Sequence, residues 1–379
     1  MIRVVGLVVY ALINSLFLLK YLTRTPLHPL VGLGIYLLLL AGASLLIHRP
    51  PGWSARLLHR PFKNETYVLS GLVIIAIILL QRSIDPMQLQ VDRWSAIAHF
   101  LQNLLAGEYP YLAQTHLGGY GSPFPVWNFV HLPFYIAGDV GFAMPVVVAI
   151  LVLSLKPILG TYRRAFVFVM LLALSPAFWY EVAVRSDLIY NFILCFLIMG
   201  WWYRRDVSVG NAPFLTGLIS GLMLSTRLSI VIPFFIFLFP GFITTGWKQR
   251  IGFTITGLLT FAVSFVPFLL WDLNSLVFFE YNPFVLQTRQ GSWIEIAVLL
   301  ALLLSFSLLW KKRPERLSLY TAIALVVFIA VTFLHRMISD DFQSGLFSSR
   351  YDITYFTMAL PFALAALTGI DSHDRPVGQ

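Results

Sequence analysis

Apolar residues in this chain come in long blocks broken by short polar clusters, with no sustained alternation of the kind a strand would show. The blocks fall at roughly 4–20, 29–47, 67–81, 141–158, 165–180, 185–203, 212–226, 228–244, 251–271, 293–310, 317–335 and 353–370. Runs of this length satisfy every backbone group inside one segment. They therefore predict an all-α polytopic membrane protein of about twelve transmembrane helices, within a range of 11–13, and not a barrel. A further apolar piece, 124–137, carries Pro123, Pro125 and Pro133 around and within it and is too short to count as a crossing. The first run follows Arg3 and lacks a small-residue cleavage site, so it is expected to be a retained span and not a signal peptide. The two runs flanking Arg227 are short enough to be broken helices.

One stretch between the blocks is patterned differently. Taken as a helix, 92–106 places Trp94, Ile97, Ala98, Leu101, Leu104 and Leu105 on one face and Asp92, Ser95, His99, Gln102 and Asn103 on the other. Such a helix lies on a membrane surface with its apolar side down, and Gly107 ends it. Asp92 has two readings from spacing alone, a helix N-cap or a functional acid.

Composition changes the picture little. Of the 379 residues 58% are hydrophobic and 11% charged, with 32 Phe and 10 Trp, more apolar surface than a soluble domain needs. The net charge of +9 does not point to nucleic acid, because its distribution follows topology. Seventeen of the 26 basic residues fall at Arg3, Arg375 and the clusters near 49–63, 156–164, 204–205, 248–250 and 311–316, which the positive-inside rule makes cytoplasmic. Beyond the first turn the opposite side carries seven Arg and no Lys, and twelve of the 17 acids. Chemistry is therefore expected outside, in segments 82–123, 272–292 and 335–352. The lone Cys195 excludes an intramolecular disulfide. No phosphate-cradling Gly loop, no GxSxG, no Cys/His finger and no metal-type His spacing occur, so no cofactor is indicated, and a divalent metal is allowed but not called for.

The first external loop resembles that of the GT-C superfamily of integral-membrane glycosyltransferases. The matching text is Asp92 in the loop, "LLAGEYPY" at 104–111, and "SPFPVWNFVHLPFY" at 122–135 where relatives often have Tyr-Pro-Pro. The resemblance covers roughly 67–240. It divides the single transmembrane domain (1–379) into an N-terminal hairpin with a basic loop (1–66), a core (67–240) including loop 82–123, and C-terminal helices (241–379). It implies a polyprenyl-phosphate-sugar donor, mannosyltransferase-like chemistry, and Asp92 as general base on an acceptor hydroxyl. The acceptor would be a glycan, a lipid or a protein. Arg93 follows Asp92 where a second acid is common in the family, which leaves Asp85 as the nearby acid.

In "EVAVRSDLIYNFIL", 181–194, the resemblance gives Arg185 and Asp187 a role in positioning sugar hydroxyls; an interfacial ion pair is the alternative. Arg227, in "LSTRLSIVIP", is an ionisable group between apolar runs, which is costly unless it faces a cavity or a partner. It is the first choice for the donor phosphate. Arg350 in "SSRYD" is the second, with a snorkelling boundary Arg as the alternative. Arg93, His99, Tyr109, Tyr111 and His131 complete the substrate-side candidates. The external aromatics Trp94, Tyr109, Tyr111, Tyr120 and Trp127 suit either an interfacial belt or stacking on a sugar. The reading is thus an inverting glycosyltransferase in the plasma membrane (the inner membrane of a Gram-negative cell), its active site facing away from the cytoplasm. A transporter or lipid flippase would show two related halves and helices broken near the midplane, and no half-to-half similarity is found. A non-catalytic scaffold of the same fold is the third reading.

Overall fold

Asn14 sits in the middle of the first apolar helix, and its partners explain how much of the bundle is assembled. A computed structural model describes residues 1–48, 62–288, 293–339 and 352–370. Helix α1 (Ile2–Tyr21) buries Gly6, Tyr10, Ile13, Asn14 and Phe17, a stripe at helical spacing. Asn14 donates to the carbonyl of Tyr10 at 2.8 Å. It accepts from the Ser175 hydroxyl at 2.6 Å and the Ala177 amide at 3.1 Å. Those two donors belong to a break. The run 165–180, expected as one helix, is two: α7 (Tyr162–Ala173) and α8 (Pro176–Ala183), inclined by 64°. Ser175 caps α8 by accepting from Phe178 N, and Pro176 occupies its first turn. An amide freed by a kink must find a partner inside the protein. Asn14 provides it.

The remaining helices are α2 (Pro29–His48), α3 (Lys63–Ser83), α4 (Arg93–Ala106), α5 (Pro125–Ile136), α6 (Ala143–Leu159), α9 (Leu188–Arg204), α10 (Pro213–Leu224), α11 (Val231–Thr244), α12 (Trp247–Trp271), α13 (Pro283–Thr288), α14 (Trp293–Leu309), α15 (Pro314–Ser339) and α16 (Leu360–Thr368). No strand occurs among the described residues, only an isolated bridge between Gln114 and Tyr120. Five helices are long and apolar enough to cross a membrane: Ile2–Arg24, Lys63–Ser83, Val140–Leu159, Trp247–Trp271 and Pro314–His335. Counting each of two bent pairs as one span gives seven. Of the runs expected to span, those in α9, α10, α11 and Ile353–Thr368 form apolar helices of fewer residues, and within α2 the apolar stretch counted is Pro29–Leu45. Leu38, Leu39, Leu72, Leu79, Leu258 and Leu270 point outward and leave an apolar exterior suited to lipid.

The last apolar run has a role that length does not reveal. A 3-10 segment (Ile353–Ala359) leads into α16, and nearly every residue of the two is buried, with α1, α7, α9 and α15 packed around them. Small residues let that packing close: a Cβ on Gly6 of α1 would lie 3.1 Å from the Leu367 amide. At the opposite extreme, α10 and α12 form a tight outer pair. A Cβ on Gly217 would fall 2.6 Å from the Phe253 carbonyl, and one on Gly221 would fall 2.5 Å from that of Gly257.

The two ends of the bundle are distinct. At one end Arg93 meets Asp352, Gln287 meets the Ser122 carbonyl and Tyr109 meets that of Phe268. At the other, Arg204 donates to the Ile158 carbonyl and Tyr203 to that of Lys312. The residues of segments 82–123, 272–292 and 335–352 that make these contacts therefore share one end, and the basic clusters near 156–164, 204–205 and 311–316 share the other.

Candidate active site at the Arg227 break

Between α10 and α11 the chain leaves helix at Ser225, and Arg227 is extended (φ −153°, ψ 140°). The extended backbone turns its side chain inward, where 7% of it is exposed. Its Nε and Nη2 donate to one oxygen of Asp187, Oδ2, at 3.1 and 2.6 Å. The Trp127 indole N–H donates to the same oxygen at 2.7 Å. Asp187 is delivered by the turn before α9, and Trp127 by the first turn of α5. The short Pro-rich run 124–137 is thus α5, a helix of 12 residues whose function is to bring Trp127, Asn128 and His131 into the core. Its N-terminal amides Phe124 and Val126 donate to the carbonyls of Thr226 and Ser225, which ties it to the break.

His131 extends this network. One ring nitrogen, Nδ1, lies 2.7 Å from the Trp127 carbonyl, an atom that only accepts, so Nδ1 carries the proton. Nε2 then accepts from the Tyr190 hydroxyl at 2.5 Å. Burial pushes the imidazole below its ordinary value, and the Trp127 carbonyl and Asp187 offset this only in part. His131 is a neutral spacer between α5 and α9.

A second ionic contact lies alongside. Arg93, at the first position of α4, pairs with Asp352 and donates to Thr354 Oγ1 at 2.7 Å. Its guanidinium also stands 4.9 Å over the Tyr355 ring. Burial alone would lower the Arg93 pKa, but Asp352, Tyr355, Glu181 and Asp187 together raise it. Conversely, burial would raise the Asp352 carboxyl, and Arg93 with Thr354 holds it below the usual carboxylate range. Glu181 is fully buried and accepts from Ile189 N at 3.3 Å.

Beside the break lies a cavity of about 240 Å³, lined by Arg227, Tyr355, Gln287 and Thr332 together with apolar side chains such as Ile232, Leu299 and Phe328. Gln287 staples its rim: Oε1 accepts from Leu228 N at 2.8 Å, and Nε2 donates to the Ser122 carbonyl at 2.8 Å. Ser122, also in the wall, ends the loop that begins at Asp92. Its lining mixes polar side chains, Arg227, Gln287 and Thr332 among them, with apolar ones.

The other sequence candidates are placed as follows. Asp92 precedes α4 but does not cap it with its side chain. Its Oδ2 accepts from Thr115 Oγ1 at 2.9 Å, and a Cβ on Gly119 would come within 3.0 Å of it. No direct contact joins it to Arg227 or Asp187 among the described residues. Asp85 accepts from Met87 N at 3.0 Å and caps a short 3-10 turn. His99 Nδ1 meets the Gln114 carbonyl at 2.6 Å. Tyr109 and Tyr111 are buried and donate to the carbonyls of Phe268 and Pro123, so their rings pack α4 against α12 and offer no open platform to a sugar. Trp127 is likewise wholly enclosed. Arg185 and Asp187 are not partners: Arg185, at φ +50°, pairs with Asp139 at 3.3 Å and donates to the Gln81 carbonyl at 2.6 Å, closing the end of α3. Arg350 lies outside the described residues. The helix expected at 92–106 is α4, but it buries Ser95, Ala96, Ile97, Phe100 and Leu101 against the protein and leaves Leu105 exposed. Its packed side is therefore rotated from the apolar stripe read in the sequence.

Sequence reasoning missed Glu181 and Asp352 as members of the cluster and Gln287 as its staple. Glu181 stands in "WYEVAV", an acid inside an apolar run, the same signal that singles out Arg227. No cluster of three or more His, Cys, Asp or Glu side chains placed to hold a metal occurs among the described residues. Comparison of this chain with protein-family models, with curated proteins and with solved structures finds no match.

Proposed function

We propose that this chain is a GT-C-type glycosyltransferase that moves a sugar from a polyprenyl-phosphate-linked donor to an acceptor hydroxyl on the extracytoplasmic side of the plasma membrane. The observation that carries the reading is the Arg227 break with its adjoining cavity. A guanidinium lines a pocket of about 240 Å³ together with apolar side chains such as Ile232, Leu299 and Phe328, a combination that suits an amphiphile with an anionic head. The donor phosphate takes the Arg227 end and the first isoprene units take the wall of Ile232, Leu299 and Phe328. The segment that carries Asp92 reaches this pocket at two other residues: Arg93 stacks on Tyr355 in the wall, and Ser122 is a wall residue too.

In the reaction, an Asp92 oxygen takes the proton from the acceptor O–H as that oxygen attacks the anomeric carbon. The bond from that carbon to the phosphate oxygen breaks, the lipid phosphate leaves with the electron pair, and the anomeric configuration inverts. Arg227 compensates the anion as it forms in a low-dielectric site. Twelve crossings belong to the same proposal, counting α2, α9, α10, α11 and α16 with the longer spans and each bent pair once. In it, α4 rests its Leu105 side on the membrane surface.

The test is release of polyprenyl phosphate from a lipid-linked sugar by purified protein, with the sugar recovered on an added acceptor. The helix breaks at 174–175 and 225–227 favour a second reading, a lipid flippase. That protein would carry a labelled lipid-linked sugar across a vesicle membrane without cleaving it. Transport without cleavage replaces the first reading with the second.

A further inference from the structure

A gathering of positive charge around a cavity lies at the opposite end from the Arg227 break. Between α1, α2, α7 and the last turn of α16 is a cavity of about 330 Å³. Its lining includes three arginines from two separate helices: Arg3 in the first turn of α1, and the exposed Arg163 with Arg164 in the first turn of α7. No Asp or Glu lines it among the described residues. The hydroxyl residues Ser44, Thr161 and Thr368 share the lining with leucines and a valine, Leu7 and Leu171 among them.

We infer that this cavity is a binding site for a phosphate-bearing anion, and specifically for the headgroup of an anionic phospholipid whose acyl chains pass along the Leu7–Leu40 side between α1 and α2. Three like charges around one cavity repel one another, and the repulsion grows as the local dielectric falls. A phosphate between them converts that repulsion into charge-assisted hydrogen bonds to planar donors that match its oxygens. The apolar part of the lining selects an amphiphile over a soluble ion. Basic pockets between helices on a membrane's positively charged side have this ligand chemistry in general.

Two plainer explanations account for part of the cluster. Arg164 donates to the Leu159 carbonyl at 3.0 Å and so also closes the end of α6. Arg3 reaches the C-terminal end of α16, where it comes within 3.2 Å of a Cβ placed on Gly369. Neither role accounts for Arg163 in the same lining or for the three hydroxyl residues that share it. Orientation of the chain in the membrane would account for positive charge anywhere in these segments, but it would not gather the charge around a cavity that three hydroxyl residues also line.

The site is independent of the glycosyltransferase reading, and its test uses binding alone. The full-length protein is placed in zwitterionic nanodiscs and titrated with phosphatidylglycerol, with phosphatidylcholine as the neutral control and inorganic phosphate as the soluble one. Thermal unfolding and native mass spectrometry are the readouts. The expected result is a saturable rise in melting temperature and retention of one phosphatidylglycerol per chain, with phosphatidylcholine and inorganic phosphate without effect. An Arg3→Gln, Arg163→Gln protein should weaken the titration by at least tenfold. The Arg3→Lys, Arg163→Lys protein, which keeps the charge and so the orientation, should weaken it severalfold. Lys248→Gln, an exposed basic residue outside the cavity, should leave it unchanged. An equal response to phosphatidylcholine overturns the site, as does an equal loss in Lys248→Gln. A response to inorganic phosphate that matches the lipid overturns the assignment to a headgroup. Should the double Gln protein not fold, the parent titrations and the Lys variants still decide the matter.

Discussion

Arg227 meets Asp187 through two nitrogens on a single oxygen, Oδ2, which also receives the Trp127 indole N–H, while Asp187 Oδ1 has no hydrogen-bond partner among the described residues. The pair joins the α10–α11 break to the start of α9, and both side chains are nearly sealed from solvent. Removing one partner of such a pair strands the other charge in a low-dielectric interior, which costs about 3–5 kcal/mol. Arg227→Gln should therefore lower stability to reversible denaturation by that amount. Adding Asp187→Asn to it should restore a substantial part, because no charge is then left alone. A double-mutant cycle measured in detergent micelles checks this. If the double substitution is as unstable as the sum of the singles, the two side chains are not coupled.

That pairing also shows what the sequence carries and what it does not. Arg227 is legible because an ionisable residue between apolar runs needs a partner or a cavity, and it has both. The identity of the partner is not. Asp187 stands two residues from Arg185, and adjacency suggests that pair. At φ +50° Arg185 turns instead to Asp139 and the end of α3. Helical runs fall where apolar periodicity puts them, since that periodicity is a property of single segments. The break inside 165–180 is hidden because Leu174 and Pro176 count as apolar, although Ser175-Pro176 is itself a helix-start signal. Contacts such as Arg93 with Asp352, 259 residues apart, leave no periodic trace at all.

The outer pair α10 and α12 makes a prediction about packing alone. A methyl group on Gly217 or Gly221 would meet backbone carbonyls at 2.6 and 2.5 Å, and backbone cannot swing aside as a side-chain tip can. Gly217→Ala and Gly221→Ala should each destabilise by roughly 1–3 kcal/mol, the usual range for overpacking. Ala at Gly34 of α2, where a Cβ would have no neighbour within 4 Å, should be nearly neutral. Thermal melts of the three single variants rank the sites. Equal melting temperatures would show that α10 and α12 can separate at little cost.

His131 gives a pH dependence with a definite sign. Burial holds the folded imidazole below its ordinary value of 6.5, so the folded state takes up a proton less readily than the unfolded chain. Its stabilising contribution is fully present above about pH 6.5 and is lost as the pH falls below that value. Protonation would also place a second proton at Nε2, facing the Tyr190 hydroxyl that now donates to it. Melting temperatures measured from pH 8 to pH 5 should fall on the acid side, and the fall should be smaller in His131→Gln, whose amide does not titrate. A parallel acid-side fall in both proteins would assign the effect to other groups.

The catalytic assignment turns on Asp92, and the geometry makes Asn the decisive replacement. Its carboxylate does not cap α4, so the loss expected for an N-cap is not at stake. The side-chain hydrogen bond it accepts comes from the Thr115 hydroxyl at 2.9 Å, and an Asn side-chain oxygen can accept the same bond. A Cβ placed on Gly119 would come within 3.0 Å of the same carboxylate oxygen, so glycine there keeps the space beside Asp92 open. Asp92→Asn should therefore keep the melting temperature of the parent within a degree or two. If Asp92 removes the acceptor proton, the same substitution removes the base and should slow release of polyprenyl phosphate by at least about 10²-fold. Thr115→Val, which deletes the donor and leaves the base in place, should act more mildly and chiefly by misorienting the carboxylate. Stability and turnover measured on the same preparations separate these effects. An Asp92→Asn protein that melts like the parent and turns over like it moves the base elsewhere, and Glu181, a fully buried acid, is the next residue to replace.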